Sequence, residues 1–267
     1  MTLEQLIHVD PTELPLQNLV TDGGYCGIFR TIGCVGDSLS SGEFEGTGED
    51  GKSTYHDMYD YSWGQYLARM AGCTVRNFSR GGMTGKEYCE SFAAANGFWD
   101  PAKACQAYII ALGINDLYGL KQPVGEMSDI CADDPTKNAD TFTGWYARII
   151  QQLKSIQPRA KFFFVTMPQQ PDNSAEQIAL ADAHAARLHE LAEYFENSYV
   201  IDLRKYGPVY DAAFGKRFFL SGHMTATGYL LTARMVASYM DYIIRHDMEA
   251  FKQVGFIGTP WANTVDV

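Results

Sequence analysis

The chain is short of basic residues, of metal-binding patterns and of long apolar runs, and each shortage removes a class of function. Lys and Arg together number 21 against 32 Asp and Glu, a formal net charge of -11 over 267 residues. A surface of that sign repels phosphate backbones and anionic headgroups, which argues against nucleic-acid and membrane partners. Six cysteines are present, Cys26, Cys34, Cys73, Cys89, Cys105 and Cys131, and no two stand in C-x-x-C spacing. The histidines supply no i, i+4 pair, so neither a zinc site nor another cofactor is expected. Cys34 and Cys105 lie in or beside apolar runs and read as small hydrophobes; disulfides are permitted but not needed at this length. The amino terminus carries Glu4, Asp10 and Glu13 with no basic lead and no apolar run of membrane length. As it stands it is neither a signal peptide nor an anchor, which predicts a soluble, cytoplasmic chain, or a periplasmic or secreted one had a signal been removed upstream.

What is there is a globular composition, with 46% hydrophobic and 20% charged residues, enough for the core of a single α/β domain. Neutral substrates, sugars or acyl groups, stay open. Residues 1–28, broken by Pro11, Pro15 and Gly23-Gly24, read as a strap on the body. Thr31 to Gly36, small and β-branched with no charge, reads as a buried strand that stops at Asp37-Ser38. Residues 41–61 hold four glycines among acidic residues, then Tyr55, His56, Tyr59 and Tyr61, and predict a loop insertion arching over the same sheet edge.

Further strands are expected at Thr74–Phe78, Ala107–Leu112, Lys161–Val165 and Tyr199–Leu203. Helices are expected from Trp63 to Met70, Phe142 to Ile156, Ser174 to Glu196 and about Ala226 to Met248. The polar stretch Lys121 to Asp140 reads as a second loop on that edge, and residues 249–267 as a tail packed on the body or a partner. The alternation of strand and helix predicts a three-layer α/β/α sandwich around a five-stranded parallel sheet.

Three strand ends carry chemistry: Ser38 after the first, Gly82 after the second and Asn115 after the third. Parallel neighbours share a carboxyl edge, and His223 opens the last helix, within reach of it. Together these parts suit acyl transfer. Ser38 would attack a carbonyl carbon, and His223 would take its proton and return it to the leaving alcohol. The backbone N–H groups of Ser38 and Gly82 and the Asn115 amide would hold the oxyanion, where one donor is typically worth ~3 kcal/mol. Gly81 competes with Gly82 for that role, and Gly82 alone would suit a tight turn with φ > 0. Asp37 and Asp116 read as structural partners of nearby backbone. His184 and His189 are not assigned to the site.

The blocks Gly36-Asp37-Ser38-Leu39-Ser40, Asn77-Phe78-Ser79-Arg80-Gly81-Gly82, Gly113-Ile114-Asn115-Asp116 and Ser221-Gly222-His223-Met224-Thr225 occur in order. In this the chain resembles the SGNH hydrolases, the GDSL family of esterases and lipases. The resemblance runs from about Ile32 to Ile244 and implies a flavodoxin-like sheet and serine ester hydrolysis without a metal. One departure stands out: the family usually has an Asp three residues before the catalytic His, and here that residue is Leu220. A carboxylate there holds the imidazole tautomer and stabilises the imidazolium. Three replacements are open: the backbone carbonyl of Leu220 or a neighbour, leaving a Ser–His dyad; a remote acid such as Asp202 or Asp211; or none, in an impaired enzyme. The dyad is the expectation, because a carbonyl can fix the tautomer.

Tyr55, His56 and Tyr59 are the candidate substrate contacts. With Tyr61, Trp63, Glu43 and Glu45 they would suit a sugar by stacking and by hydrogen bonds to hydroxyls, so a carbohydrate O-acetylesterase is the expected activity. A lipase or thioesterase, or a catalytically weak protein that binds a glycan or a protein through the same cleft, are the alternatives.

Overall fold

The computed structural model describes residues 1–7 and 9–264. Among the described residues nine strands follow in chain order: β1 (Thr31–Gly36), β2 (Glu43–Thr47), β3 (Ser53–Asp57), β4 (Thr74–Asn77), β5 (Ala107–Ala111), β6 (Lys161–Val165), β7 (Ser198–Ile201), β8 (Phe219–Leu220) and β9 (His223–Met224). Five of them form a parallel sheet in the order β4-β1-β5-β6-β7, with Thr31 beside Thr74, Ile32 beside Ala107, Ala107 beside Lys161 and Phe162 beside Ser198. The chain builds to one side of β1 and then to the other, so β1 ends where the strand order reverses. Open α/β sheets leave a crevice at that point.

Both faces of the sheet are apolar because every second side chain enters a different layer. Ile32, Cys34, Ala107, Ile109 and Phe163 face the Trp63–Ala71 and Ala226–His246 helices. Val35, Tyr108, Ile110, Phe162 and Phe164 face the Phe142–Ile156 and Ala175–Tyr194 helices. Helix starts follow the sequence signals: Ser62, Thr141, Ser174 and Thr225 cap their helices, and Gly72 ends one in the left-handed conformation. All six cysteines are free.

The strap crosses the Ala226–His246 helix. Glu13 pairs with Arg245 at 2.8 Å, the Val20 N–H donates to Ser238 Oγ, and the Tyr25 N–H donates to Asp241. The tail buries Phe251, Val254 and Ile257 on the same layer, while Trp261 stays exposed. Residues 265–267 of the expected tail lie outside the described residues.

Two expectations need correction. Residues 41–61 are not a loop: β2 and β3 pair as an antiparallel hairpin, Glu43 opposite Asp57 and Glu45 opposite Tyr55. The Lys121–Asp140 stretch runs along the Phe142–Ile156 helix, where Asp140 accepts from Trp145 Nε1 at 2.7 Å and from Gln122 Nε2 at 3.0 Å.

Candidate active site

β1 delivers Ser38 to the crevice. Asp37 leaves the strand, accepts the Leu39 N–H on its side chain at 3.1 Å, and so starts the one-turn helix Ser38–Ser41. In the first turn of a helix the N–H groups have no intrahelical acceptor. The Ser38 N–H, like those of Gly81 and Gly82, has no hydrogen-bond partner among the described residues.

The loop after β4 is tied to β1 by the Arg80 N–H, 3.4 Å from the Gly36 carbonyl. Its two glycines are there for different reasons. Gly82 has φ of 70°, a conformation that side chains resist. A methyl group on Gly81 would collide with the Glu43 carboxylate instead. After β5, the Asn115 side-chain amide donates to the Met83 carbonyl at 3.1 Å and lies 3.5 Å from Asp37 Oδ2. Three strand ends are thereby linked around Ser38. Behind them Asp116 accepts the Gly85 N–H at 2.8 Å.

This floor is acidic and buried. Burial pushes the Asp37 carboxyl up to about 7, with the charge of Asp116 adding to the effect, and burial pushes Asp116 up to about 6. His184, unassigned from sequence, packs on Gly113, with its Nε2 3.0 Å from the Leu112 carbonyl. Burial lowers its pKa to about 4, so it is a neutral structural residue beneath the Asn115 loop.

His223 comes from β9. A two-residue turn, with Ser221 at φ of 67°, sets Leu220 directly opposite it. The strand packs against the Ser38 turn and against β2. Both imidazole nitrogens meet carboxylates of that strand: Nε2 lies 3.0 Å from Glu43 Oε1, and Nδ1 3.4 Å from Glu45 Oε2. No hydrogen bond joins His223 to Ser38 Oγ, and none joins it to a backbone carbonyl, among the described residues. The proposed remote acids are occupied elsewhere. Asp202 accepts from Thr166 Oγ at 3.1 Å and the Lys205 N–H at 3.0 Å, and pairs with His189 at 2.9 Å. Asp211 caps the Phe214 N–H at 2.8 Å.

Hairpin alternation sorts the candidate substrate contacts. Glu43, Glu45 and Tyr55 share one face, and the Tyr55 ring stands 5.5 Å from that of His223, edge to face. His56 lies on the other face and pairs with Thr54 Oγ1 at 3.0 Å. Tyr59 is also away from the crevice, since its hydroxyl donates to the Val75 carbonyl at 2.9 Å. The hairpin itself is anchored: buried Tyr229 donates to the Glu43 carbonyl at 2.6 Å, and Ser41 Oγ donates to Asp57 at 2.7 Å.

Beside the Ser38 turn, a cavity of about 170 Å³ is lined by Leu39, Trp63, Leu112, Met167, Phe219 and Met224, among others. No cluster of His, Cys, Asp or Glu suited to a metal ion occurs among the described residues, and no helix there is long and apolar enough to cross a membrane.

A serine at the switch point of this sheet, with the blocks in this order, defines an SGNH-type α/β hydrolase fold. The family model of the GDSL-like lipases and acylhydrolases matches residues 34–231, and the chain belongs to that family. Solved structures agree on the fold. A family two carbohydrate esterase from Clostridium thermocellum, in complex with cellohexaose, is 15% identical with a TM-score of 0.56, over 83% of this chain and 65% of that one. A family 2 carbohydrate esterase with a carbohydrate binding domain, from Corynascus thermopiles, is 16% identical with a TM-score of 0.54, over 78% and 64%. A possible lipase from Chitinophaga pinensis is 16% identical with a TM-score of 0.50, over 81% and 98%. The chain thus spans about two thirds of the two carbohydrate esterases. No curated protein matches it.

Proposed function

We propose that the protein is a serine ester hydrolase in which Ser38 is the nucleophile and His223 the general base, acting on a small acyl ester of a carbohydrate. The observation that carries this reading is the convergence at one edge: the Ser38 turn, the unpartnered N–H groups of Gly81 and Gly82, and the Asn115 amide sit on three adjacent strands, with the His223 strand packed against the turn. Ser38 Oγ bonds to the ester carbon as its proton passes to His223 Nε2. The oxyanion is held by the Ser38 N–H, a glycine N–H and the Asn115 amide. Collapse of the intermediate breaks the acyl–oxygen bond, and the proton moves to the leaving alcohol. Water then repeats the sequence on the acyl-enzyme and frees a carboxylic acid. For Nε2 to serve Ser38, it must leave Glu43 when substrate binds.

A carbohydrate alcohol is favoured by the exposed Tyr55 ring, which offers a stacking surface, and by Glu43, which can accept a substrate hydroxyl once it leaves His223. The structural likeness to carbohydrate esterases agrees with it but, at this identity, supports the fold only. One observation favours a second reading: the apolar cavity beside Leu39 would suit a longer acyl chain, as in a lipase or thioesterase. A p-nitrophenyl ester series from acetate to octanoate, run on the wild type and on Ser38→Ala, tests both. Turnover of acetate that falls to background in Ser38→Ala is expected, a loss of at least about 10⁴-fold. Equal rates in the two proteins would leave a binding protein in an esterase fold. A preference for octanoate over acetate would remove the sugar ester in favour of the longer chain.

A further inference from the structure

We propose that Glu45 is the positioning residue of His223, so that the carboxylate missing at position 220 is supplied by the hairpin that follows the nucleophile. This deepens the Ser38–His223 reading and rests on it. It also replaces the dyad expected from sequence.

Position 220 cannot take the role as it stands, because it is Leu and 41% exposed. Glu45 Oε2 is the acceptor at His223 Nδ1, at 3.4 Å, and the Glu45 side chain is only 11% exposed. Its carboxylate is fixed from two other sides. The Gly222 N–H donates to Oε2 at 2.9 Å, and Ser53 Oγ donates to Oε1 at 2.9 Å. The Gly222 donor matters most, because it belongs to the turn that carries His223. One oxygen thus grips both the backbone and the ring of the same short hairpin. These donors also hold the Glu45 carboxyl below its ordinary pKa, the backbone bond from Gly222 contributing most, so it stays ionised.

Glu43 is not equivalent. It faces Nε2, the nitrogen that must serve Ser38, and burial raises its pKa although the neighbouring His223 opposes that shift. Two carboxylates two residues apart on one strand face are therefore pushed in opposite directions. One environment keeps an anion behind the base, and the other puts a removable partner in front of it.

The test uses the full chain and p-nitrophenyl acetate. Glu45→Gln, which retains an acceptor for Gly222, is expected to lower kcat by about 10²- to 10⁴-fold with KM changed less than about threefold. Adding Leu220→Asp to that variant should recover at least about tenfold, since residue 220 is the cross-strand neighbour of His223. A purely structural role for Glu45 would not be rescued from position 220. If Glu45→Gln does not fold, Glu45→Asp, which withdraws the carboxylate by one methylene, must show the same loss of kcat and the same rescue. Wild-type kcat in Glu45→Gln, or a loss that Leu220→Asp leaves unchanged, overturns the assignment. A second readout is independent of turnover. A downfield proton resonance from the His223 Nδ1–H should be present in Ser38→Ala and absent in Glu45→Gln; its presence in both overturns the proposal. Inactive Ser38→Ala beside fully active Glu45→Gln would sink the inference alone, whereas equal rates for wild type and Ser38→Ala would sink the hydrolase reading.

Discussion

The sheet edge and the paired hairpins reach the same site by different physics. Ser38, Gly82 and Asn115 follow three hydrogen-bonded parallel strands, and parallel register alone puts their carboxyl ends side by side. His223, Glu43 and Glu45 come from two hairpins whose strands are short and lie outside the main sheet, and whose meeting depends on a few specific contacts: Tyr229 to the Glu43 carbonyl, the Gly222 N–H to Glu45, and the ring of His223 between two carboxylates. The first arrangement comes with the core. The second is assembled on top of it, and it can be retuned without disturbing the core.

After Ser38 itself, the largest expected effect from breaking this contrast on the sheet side is at Asn115. Its amide has two N–H groups; one is committed to Met83, and the other meets Asp37 only at 3.5 Å, which leaves it available to an oxyanion. Asn115→Ala is expected to cost about 3 kcal/mol of transition-state stabilisation, roughly a 10²-fold fall in kcat, with KM little changed. Steady-state kinetics on a short ester would show it. A fall in melting temperature with kcat preserved would mean that the amide only braces the Met83 loop.

The contrast also explains what could be read from the sequence. Continuous apolar runs such as Ala107–Ala111 and Lys161–Val165 announced buried parallel strands, and Gly or polar residues at their ends marked the edge. The hairpin leaves a trace in the sequence too. Glu43-Phe44-Glu45 and Tyr55-His56-Asp57 flank a Gly-rich turn, a period-two pattern around a turn signal. Phe44 goes inward against Tyr229 while Glu43 and Glu45 go to His223. What sequence could not supply was the docking of that hairpin on another one 178 residues away, at His223. The position of Tyr59 was hidden for a similar reason: the partner of its hydroxyl, the Val75 carbonyl, is set by tertiary packing.

A smaller effect belongs to the floor of the crevice and shows in stability. Asp37 is raised from 3.8 to about 7 in the folded state, so its charged form is disfavoured there. The folded state then holds more protons than the unfolded state between those values. Stability falls as pH rises through that window, and the penalty is complete above about pH 7. Asp37→Asn removes the titration while keeping an acceptor for Leu39. The linked penalty has a ceiling of about 4 kcal/mol, and the amide accepts the Leu39 bond less strongly, which leaves a net gain of about 2 kcal/mol at pH 8. Thermal melts from pH 4 to 8 should show the variant's advantage growing with pH. An advantage that is constant or shrinks would mean that the carboxyl is not the titrating group.

The smallest effect sharpens the comparison most, because it separates the two hairpin carboxylates. Glu43 pairs with Nε2 of His223 and its carboxylate lies against Gly81, between the His223 hairpin and the loop after β4. Under the proposed Ser38–His223 mechanism, Glu43 would compete with Ser38 for Nε2 and would have to be displaced by substrate. Glu43→Gln keeps the size and the backbone bond from Tyr229 but removes the charge-assisted hold on the ring. A modest rise in kcat, about threefold or roughly 0.7 kcal/mol, is expected on p-nitrophenyl acetate, where no sugar hydroxyl is present to be recognised. On an acetylated sugar the same variant should lose part of that gain through a higher KM, since a carboxylate that leaves His223 is free to accept a substrate hydroxyl. A fall in kcat on both esters, as deep as that from Glu45→Gln, would show that the base needs both carboxylates and that the hairpin acts as a single clamp.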